Sequence, residues 1–239
     1  MYEAVYATPG GETTVARYAH AAARYGYDGV VVRATSAPDE GYREAYRRVR
    51  ERFGTDVVDG VEVVADTPES AAGAVGSQRG SRTLLLVRGG TNRLNRFAVE
   101  QARVDVLTRP FDGNDGDGDV NHVLVKAARD NGVRIEFGLG PVLRLDGGRR
   151  VKALRKLRKL RELVEAYDAP YVVSATPRSH LQLRAPRELD ALGEVLGFEA
   201  GAMKEGLREW GRLTERNRHR LSESFIAPGV ERGRYEEDA

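Results

Sequence analysis

The 239-residue chain contains no cysteine, which excludes disulfides, thiolate zinc sites and a cysteine nucleophile. Histidine is scarce: His20, His122, His180 and His219 stand far apart. A metal-dependent hydrolytic barrel usually carries His-x-His near the end of its first strand, because two imidazoles on one strand face converge on one ion. Here that strand reads Glu3-Ala4-Val5-Tyr6-Ala7-Thr8. No apolar run approaches the roughly 20 residues that span a bilayer. Met1-Tyr2-Glu3-Ala4 opens no basic-then-apolar leader, so a cytosolic protein without a membrane partner is expected. There is no Gly-Lys-Ser/Thr phosphate loop, Gly138-Leu139-Gly140-Pro141 does not continue as a dinucleotide fingerprint, and Ser174 and Ser222 have no nucleophile-elbow context. The acidic run Asp112–Asp119 fails as a calcium loop. Counted from Asp112, the Gly and Glu places hold Asp117 and Val123; counted from Asp115, they hold Val120 and Lys126. It is expected to be a flexible loop.

Lysine is also scarce. Lys126, Lys152, Lys156, Lys159 and Lys204 are the only ones, and every other base is arginine. Arginine makes forked contacts to phosphate and stacks on bases, although a GC-rich genome also favours its codons. The formal net charge is only +2, so a polyanion partner is signalled by placement and not by total charge.

Strand and helix patterns alternate about seven times. Continuous apolar runs such as Gly29-Val30-Val31-Val32 have the character of strands buried on both faces. Sustained alternation of this kind implies a parallel sheet with right-handed crossovers. At this length the pattern predicts one domain over residues 1–226, a TIM-like (β/α) barrel of seven to eight units with an irregular eighth, then a polar, disordered tail over 227–239. Predicted helices include 38–53, 93–102 and 151–167, and further helix is expected from 186 towards 221.

In α/β proteins function sits where strands end. The strand Thr83–Val87 delivers Arg88, and Val104–Thr108 delivers Arg109. Between them runs Gly89-Gly90-Thr91-Asn92-Arg93-Leu94-Asn95-Arg96-Phe97-Ala98-Val99-Glu100. Arg33 ends an earlier strand, and Arg178 and His180 follow a later one. These ends show positive charge with no acid, thiol or metal-ligand cluster beside it. The candidate RNA- or partner-binding set is therefore Arg33, Arg88, Asn92, Arg93, Asn95, Arg96, Arg109, Arg178 and His180, with Asn92 and Asn95 holding the turn. A purely structural role is equally open for Asn95, as a cap, and for Arg96, as an ion pair with Glu100. No catalytic or metal-binding residue is assigned. Lys152, Arg155, Lys156, Arg158 and Lys159 add a basic flank to one helix, and Arg208–Arg220 adds a second basic segment around the single tryptophan, Trp210.

The chain resembles the archaeal ribonuclease P protein component three family, counterpart of the thirty-kilodalton eukaryotic subunit. The resemblance is carried by Tyr25-Gly26-Tyr27-Asp28-Gly29-Val30, by Leu94-Asn95-Arg96-Phe97-Ala98-Val99-Glu100, and by Val104-Asp105-Val106-Leu107-Thr108-Arg109-Pro110. Ser174-Ala175 with its basic loop, Arg184-Ala185-Pro186-Arg187-Glu188-Leu189, and Leu196-Gly197-Phe198 follow in family order. The arginine-rich, aspartate-loop style looks haloarchaeal. A cytosolic halophile protein is expected to be strongly acidic; the departure here fits a surface reserved for RNA.

The resemblance implies a barrel related to metal-dependent phosphoesterases of the polymerase-and-histidinol-phosphatase type, with the metal ligands lost. It implies an accessory, non-catalytic subunit that binds no cofactor. The RNA subunit would hold magnesium and remove the 5′ leader of precursor tRNA, which this chain would meet only indirectly. The implied partners are the ribonuclease P RNA, a Pop5-type protein and other ribonuclease P proteins. Two other readings remain open. One is a phosphoesterase with an atypical metal site of Glu3, Glu62, Glu136 and His180. The other is a scaffold whose basic surface meets acidic proteins.

Overall fold

A computed structural model describes residues 1–35, 41–112, 117–222, 225–227 and 230–231. Seven parallel strands run in chain order around a nearly closed barrel: β1 (Tyr2–Val5), β2 (Gly29–Ala34), β3 (Asp56–Val63), β4 (Leu84–Arg88), β5 (Val106–Thr108), β6 (Arg134–Gly138) and β7 (Tyr171–Ser174). The helices α1 (Val15–Tyr25), α2 (Tyr42–Phe53), α3 (Pro68–Gln78), α4 (Asn92–Glu100) and α5 (His122–Asn131) each follow their strand. A short α6 (Gly140–Arg144) and a long α7 (Gly147–Tyr167) follow β6, and α8 (Pro186–Leu196) and α9 (Ala202–Arg220) follow β7. This is the expected TIM-like architecture. Helix starts are set by side-chain caps: Thr14, Thr91 and Asn121 accept from backbone N–H groups in the first turns of α1, α4 and α5.

Strand alternation divides the apolar residues into two clusters. Val30, Val57, Leu85, Leu107 and Ile135 face the helices. Val31, Val58, Leu84, Leu86, Val106 and Val172 face inward, where they meet Trp210 and Leu213 of α9. That contact explains the irregular eighth unit. Helix α9 lies across the N-terminal ends of the strands and plugs the barrel. Its buried Met203, Gly206, Leu207, Trp210, Thr214 and Asn217 recur at helical spacing. The Trp210 indole N–H donates to the Val173 carbonyl at 2.9 Å. Asn217 donates to Thr83 O and Asp105 Oδ1, at 2.9 and 2.8 Å. A Cβ on Gly206 would stand 2.5 Å from the Val173 side chain, so only glycine permits this approach.

No backbone ladder joins β7 to β1 among the described residues; isolated side-chain and backbone hydrogen bonds close the seam. The Ser174 hydroxyl donates to Glu3 at 2.6 Å, and the Ala175 N–H donates to the same carboxyl at 3.2 Å. Above them the Tyr6 N–H donates to Pro177 O at 3.0 Å.

Several boundaries differ from expectation. Helix α7 starts at Gly147 rather than Val151, and the short α6 stands where no helix is expected; α9 runs through Arg220, in line with the helix expected towards 221. Within the expected tail, Val230–Glu231 pairs antiparallel with Phe225–Ala227. Residues 38–40 of the expected 38–53 helix, 113–116 of the acidic loop, and 228–229 and 232–239 of the tail lie outside the described residues. Among the described residues no helix is long and apolar enough to cross a membrane.

Candidate nucleic-acid interface at the barrel mouth

The C-terminal ends of the strands carry two polar layers. The lower one is sealed. Arg33 and Glu136 are both 0% exposed and form a two-pronged ion pair across the barrel interior. Arg33 therefore leaves the candidate set: it ends its strand as expected but points inward, between the rings of Tyr6 (5.4 Å) and Trp210 (5.5 Å). Beside this pair, Glu62 accepts from Tyr6 Oη at 3.0 and 2.9 Å, from Thr108 Oγ1 at 2.7 Å and from Arg88 at 2.8 Å. Burial alone would raise the Glu62 carboxyl; the charges of Arg33 and Arg88 and the Thr108 hydroxyl outweigh it and hold the group below its ordinary value. So acids do stand at these strand ends, one layer down and already matched.

The upper layer faces outward. Arg109 and Arg178 each place a guanidinium 5.3 Å from the Tyr6 ring. Arg109 has φ of +47°, a left-handed conformation unusual for arginine, and reaches Asp112 at 3.3 Å. Thr176, across the mouth, has φ of +49°. Arg178 also donates to Gly10 O at 2.6 Å. Arg144 donates to Ala175 O and Thr176 Oγ1, at 3.0 and 2.9 Å. Burial, reinforced by the charge of Arg109, lowers the Arg144 pKa from its ordinary value. A cleft of about 450 Å³ opens between Arg109 and the first turns of α7, and Arg149, Lys152 and Lys156 line it. Crowded, partly buried cations of this kind favour an anion in the space between them.

The loops that carry these groups are joined by Asn95. It is fully buried; its Oδ1 accepts from the Gly90 N–H at 3.1 Å, and its Nδ2 donates to Pro110 O at 2.8 Å and Asp119 O at 3.2 Å. A Cβ on Gly89 would fall 2.0 Å from that Oδ1. Asn95 thus holds the turn, but as a bridge; the helix cap is Thr91. Asn92 makes a second tie, accepting from the Asp119 N–H at 3.1 Å. Arg96 pairs with Glu100 at 2.8 Å on the exposed face of α4, and Arg93, 75% exposed, stands 3.8 Å from Glu69.

His180 is not brought to this group. It lies in a single 3-10 turn, its Nδ1 3.2 Å from Thr13 Oγ1, and it borders a separate groove. The alternative metal site is likewise dispersed: Glu3 is in the seam, Glu62 and Glu136 face arginines, and His180 is on Thr13. Among the described residues no three His, Asp or Glu side chains converge to hold an ion. Tyr6, Arg144 and Arg149 also belong to the mouth, outside the candidate set drawn from the sequence. In the sequence Tyr6 sits inside the first apolar run and Arg144 stands six residues beyond Gly138, so no strand-end signal marks either.

A TIM-like barrel whose buried carboxylates are neutralised and whose mouth is basic is built to bind an anion. Comparison with known proteins identifies the lineage: residues 1–222 match the family described as RNase P subunit p30, and the chain belongs to that family. It is 58% identical over 243 residues to ribonuclease P protein component 3 of Halorubrum lacusprofundi, covering 100% of both chains. It is 55% identical over 239 residues to the protein of that name from Haloarcula marismortui, covering 100% of this chain and 98% of the other. Its fold matches, with a TM-score of 0.85 at 22% identity over 100% of both chains, a chain in the cryo-EM structure of archaeal ribonuclease P with mature tRNA.

Proposed function

We propose that this ribonuclease P subunit supports the catalytic RNA by presenting the barrel mouth to RNA phosphate, with no chemistry of its own. The observation that carries this is the placement of Arg109 and Arg178 over Tyr6, beside a cleft where Arg149 and Lys152 have no carboxylate partner among the described residues. Such contacts supply affinity and orientation without sequence choice. The RNA subunit would hold the magnesium ions, and a Pop5-type protein would share the assembly, with precursor tRNA met through the RNA. All of this would take place in the cytoplasm. Arg88, Arg93 and Arg96 remain candidates at the rim and on α4. Arg33 has no part in contact, and Asn95 acts by holding the loops.

The test is reconstitution. Precursor-tRNA 5′ cleavage by the cognate RNA is measured at limiting magnesium with the partner proteins, with and without this chain. A lower magnesium requirement or faster cleavage only in its presence is expected. No effect with active, folded partners would overturn the proposal.

A further inference from the structure

The mouth leaves one large surface feature unused. Between α1 and α2 lies a groove of about 1150 Å³. Each helix gives it one stripe at i, i+3, i+4, i+7: Arg17, His20, Ala21, Arg24 from α1, and Ala45, Arg48, Val49, Arg52 from α2. Small aliphatic side chains thus form the floor and arginines the edges. At one end Leu181 stands 77% exposed.

The arginines of α2 differ by face. Those away from the groove are matched within the chain: Arg47 pairs with Glu44 and Glu51, Arg50 pairs with Asp56, and Arg43 donates to Ser81 O. Among the described residues, Arg17, Arg24 and Arg48 in the groove have no ion pair or side-chain hydrogen bond, and Arg52 only lies 5.5 Å from the Phe53 ring. Helix α2 also buries none of its residues fully, so its inner side is only half covered.

We infer that this groove seats an amphipathic helix of a companion protein, with apolar side chains on the alanine and valine floor and carboxylates facing Arg17, Arg24, Arg48 and Arg52. A slot between two helices accepts a third through i, i+3, i+4, i+7 anchors. The charge on both edges selects an acidic occupant. RNA fits less well: phosphates would meet the edges and leave the floor uncovered, and the ring of His20 is already packed on Phe53 at 5.5 Å. The inference rests on the subunit reading above, because it places the companion in the same assembly.

The experiment uses the full chain in the reconstituted complex, with the photo-crosslinking amino acid p-benzoylphenylalanine at position 21 or 45. A crosslink to another protein subunit, mapped to a helix whose apolar positions are flanked by Asp or Glu, is expected. The paired change Arg24→Glu with Arg48→Glu should then weaken that subunit's association about tenfold or more. The affinity of the chain for RNA should stay within about twofold, since these arginines lie away from the mouth. A crosslink in an active complex to RNA, to a second copy of the chain, to the chain's own acidic residues 236–238, or to nothing, overturns the groove assignment and leaves the subunit reading standing. A chain that neither assembles nor stimulates cleavage overturns both.

Discussion

Tyr6 places its hydroxyl on both carboxylate oxygens of Glu62, while its ring lies 5.3 Å from the guanidinium of Arg109. One side chain therefore serves the sealed layer and the open one, and substitution separates the two roles. Tyr6→Phe removes a buried hydrogen bond to a charged group, worth about 1–3 kcal/mol, and keeps the ring. It should lower the urea midpoint yet leave stimulation of precursor-tRNA cleavage close to wild type. Tyr6→Leu loses the platform under Arg109 and Arg178 and should lose most stimulation. A folded Tyr6→Phe protein that fails to stimulate would instead place the function on the hydroxyl.

Arg33 and Glu136 make a buried ion pair, and such pairs behave asymmetrically. Removing one partner strands a charge and costs about 3–5 kcal/mol, whereas replacing both with apolar groups is often neutral. Arg33→Met alone should therefore destabilise strongly. Arg33→Met with Glu136→Leu should recover most of the loss in a denaturant titration. Equal destabilisation by the single and double changes would show that stability here depends on packing against Tyr6 and Trp210 and not on charge.

This pair also marks where sequence reasoning stops. Val30-Val31-Val32 announces a strand buried on both faces, and the alternation of seven such strands with helices is enough for the barrel. Arg33 ends a strand, which marks it as a candidate, but nothing local says whether position 33 faces the axis or the rim. Its partner Glu136 is 103 residues away, and only barrel closure brings the two together. Asn95 was legible as a turn residue, whereas its bonds to Pro110 and Asp119 depend on how two loops meet. Tyr6 reads as one more apolar residue of the first strand. Trp210 gave no hint that its helix would take the place of an eighth strand.

Salt dependence should separate matched from unmatched arginines and lysines. Lys152 lines the mouth cleft with no carboxylate partner among the described residues, while Arg96 is matched by Glu100. Each phosphate contact contributes a slope of about −0.7 to −0.9 in log affinity against log salt. Lys152→Ala should make the slope shallower by about one such contact. Arg96→Ala with Glu100→Ala, which keeps net charge, should leave it unchanged. Filter binding of the RNA across a salt series gives both slopes; the reverse result would move the interface from the mouth to α4.

Asn95→Ala removes an acceptor for the Gly90 N–H and a donor for two carbonyls. Each buried group left unpaired costs about 1–3 kcal/mol, so a clear drop in melting temperature is expected. Asn95→Asp keeps the acceptor but cannot donate to Pro110 and Asp119, so it should rescue little. Hydrogen exchange at Gly90 reads the effect locally: faster with Ala, close to wild type with Asp. Full rescue by Asp would mean that the two carbonyl contacts contribute nothing.

The seam between β7 and β1 should respond to pH. Burial pushes the Glu3 carboxyl up to about 7, even though hydrogen bonds from Ser174 and Ala175 and the charge of Arg33 pull it down. In the unfolded chain a glutamate titrates near about 4.3. Between these values the folded state holds a proton that the unfolded state has released. The favourable contribution of Glu3 is therefore complete below about 4.3, declines as pH rises to about 7, and changes no further above that. Glu62, held low by Arg33 and Arg88, acts in the opposite sense and weakens the fold only as the medium turns acid. Glu3→Gln keeps a neutral group of the same shape beside Ser174 and removes the titration. The stability difference between variant and wild type should shift in favour of the variant by a few kcal/mol from pH 5 to pH 8. Parallel stability curves across that range would show that the seam carboxyl does not change protonation there.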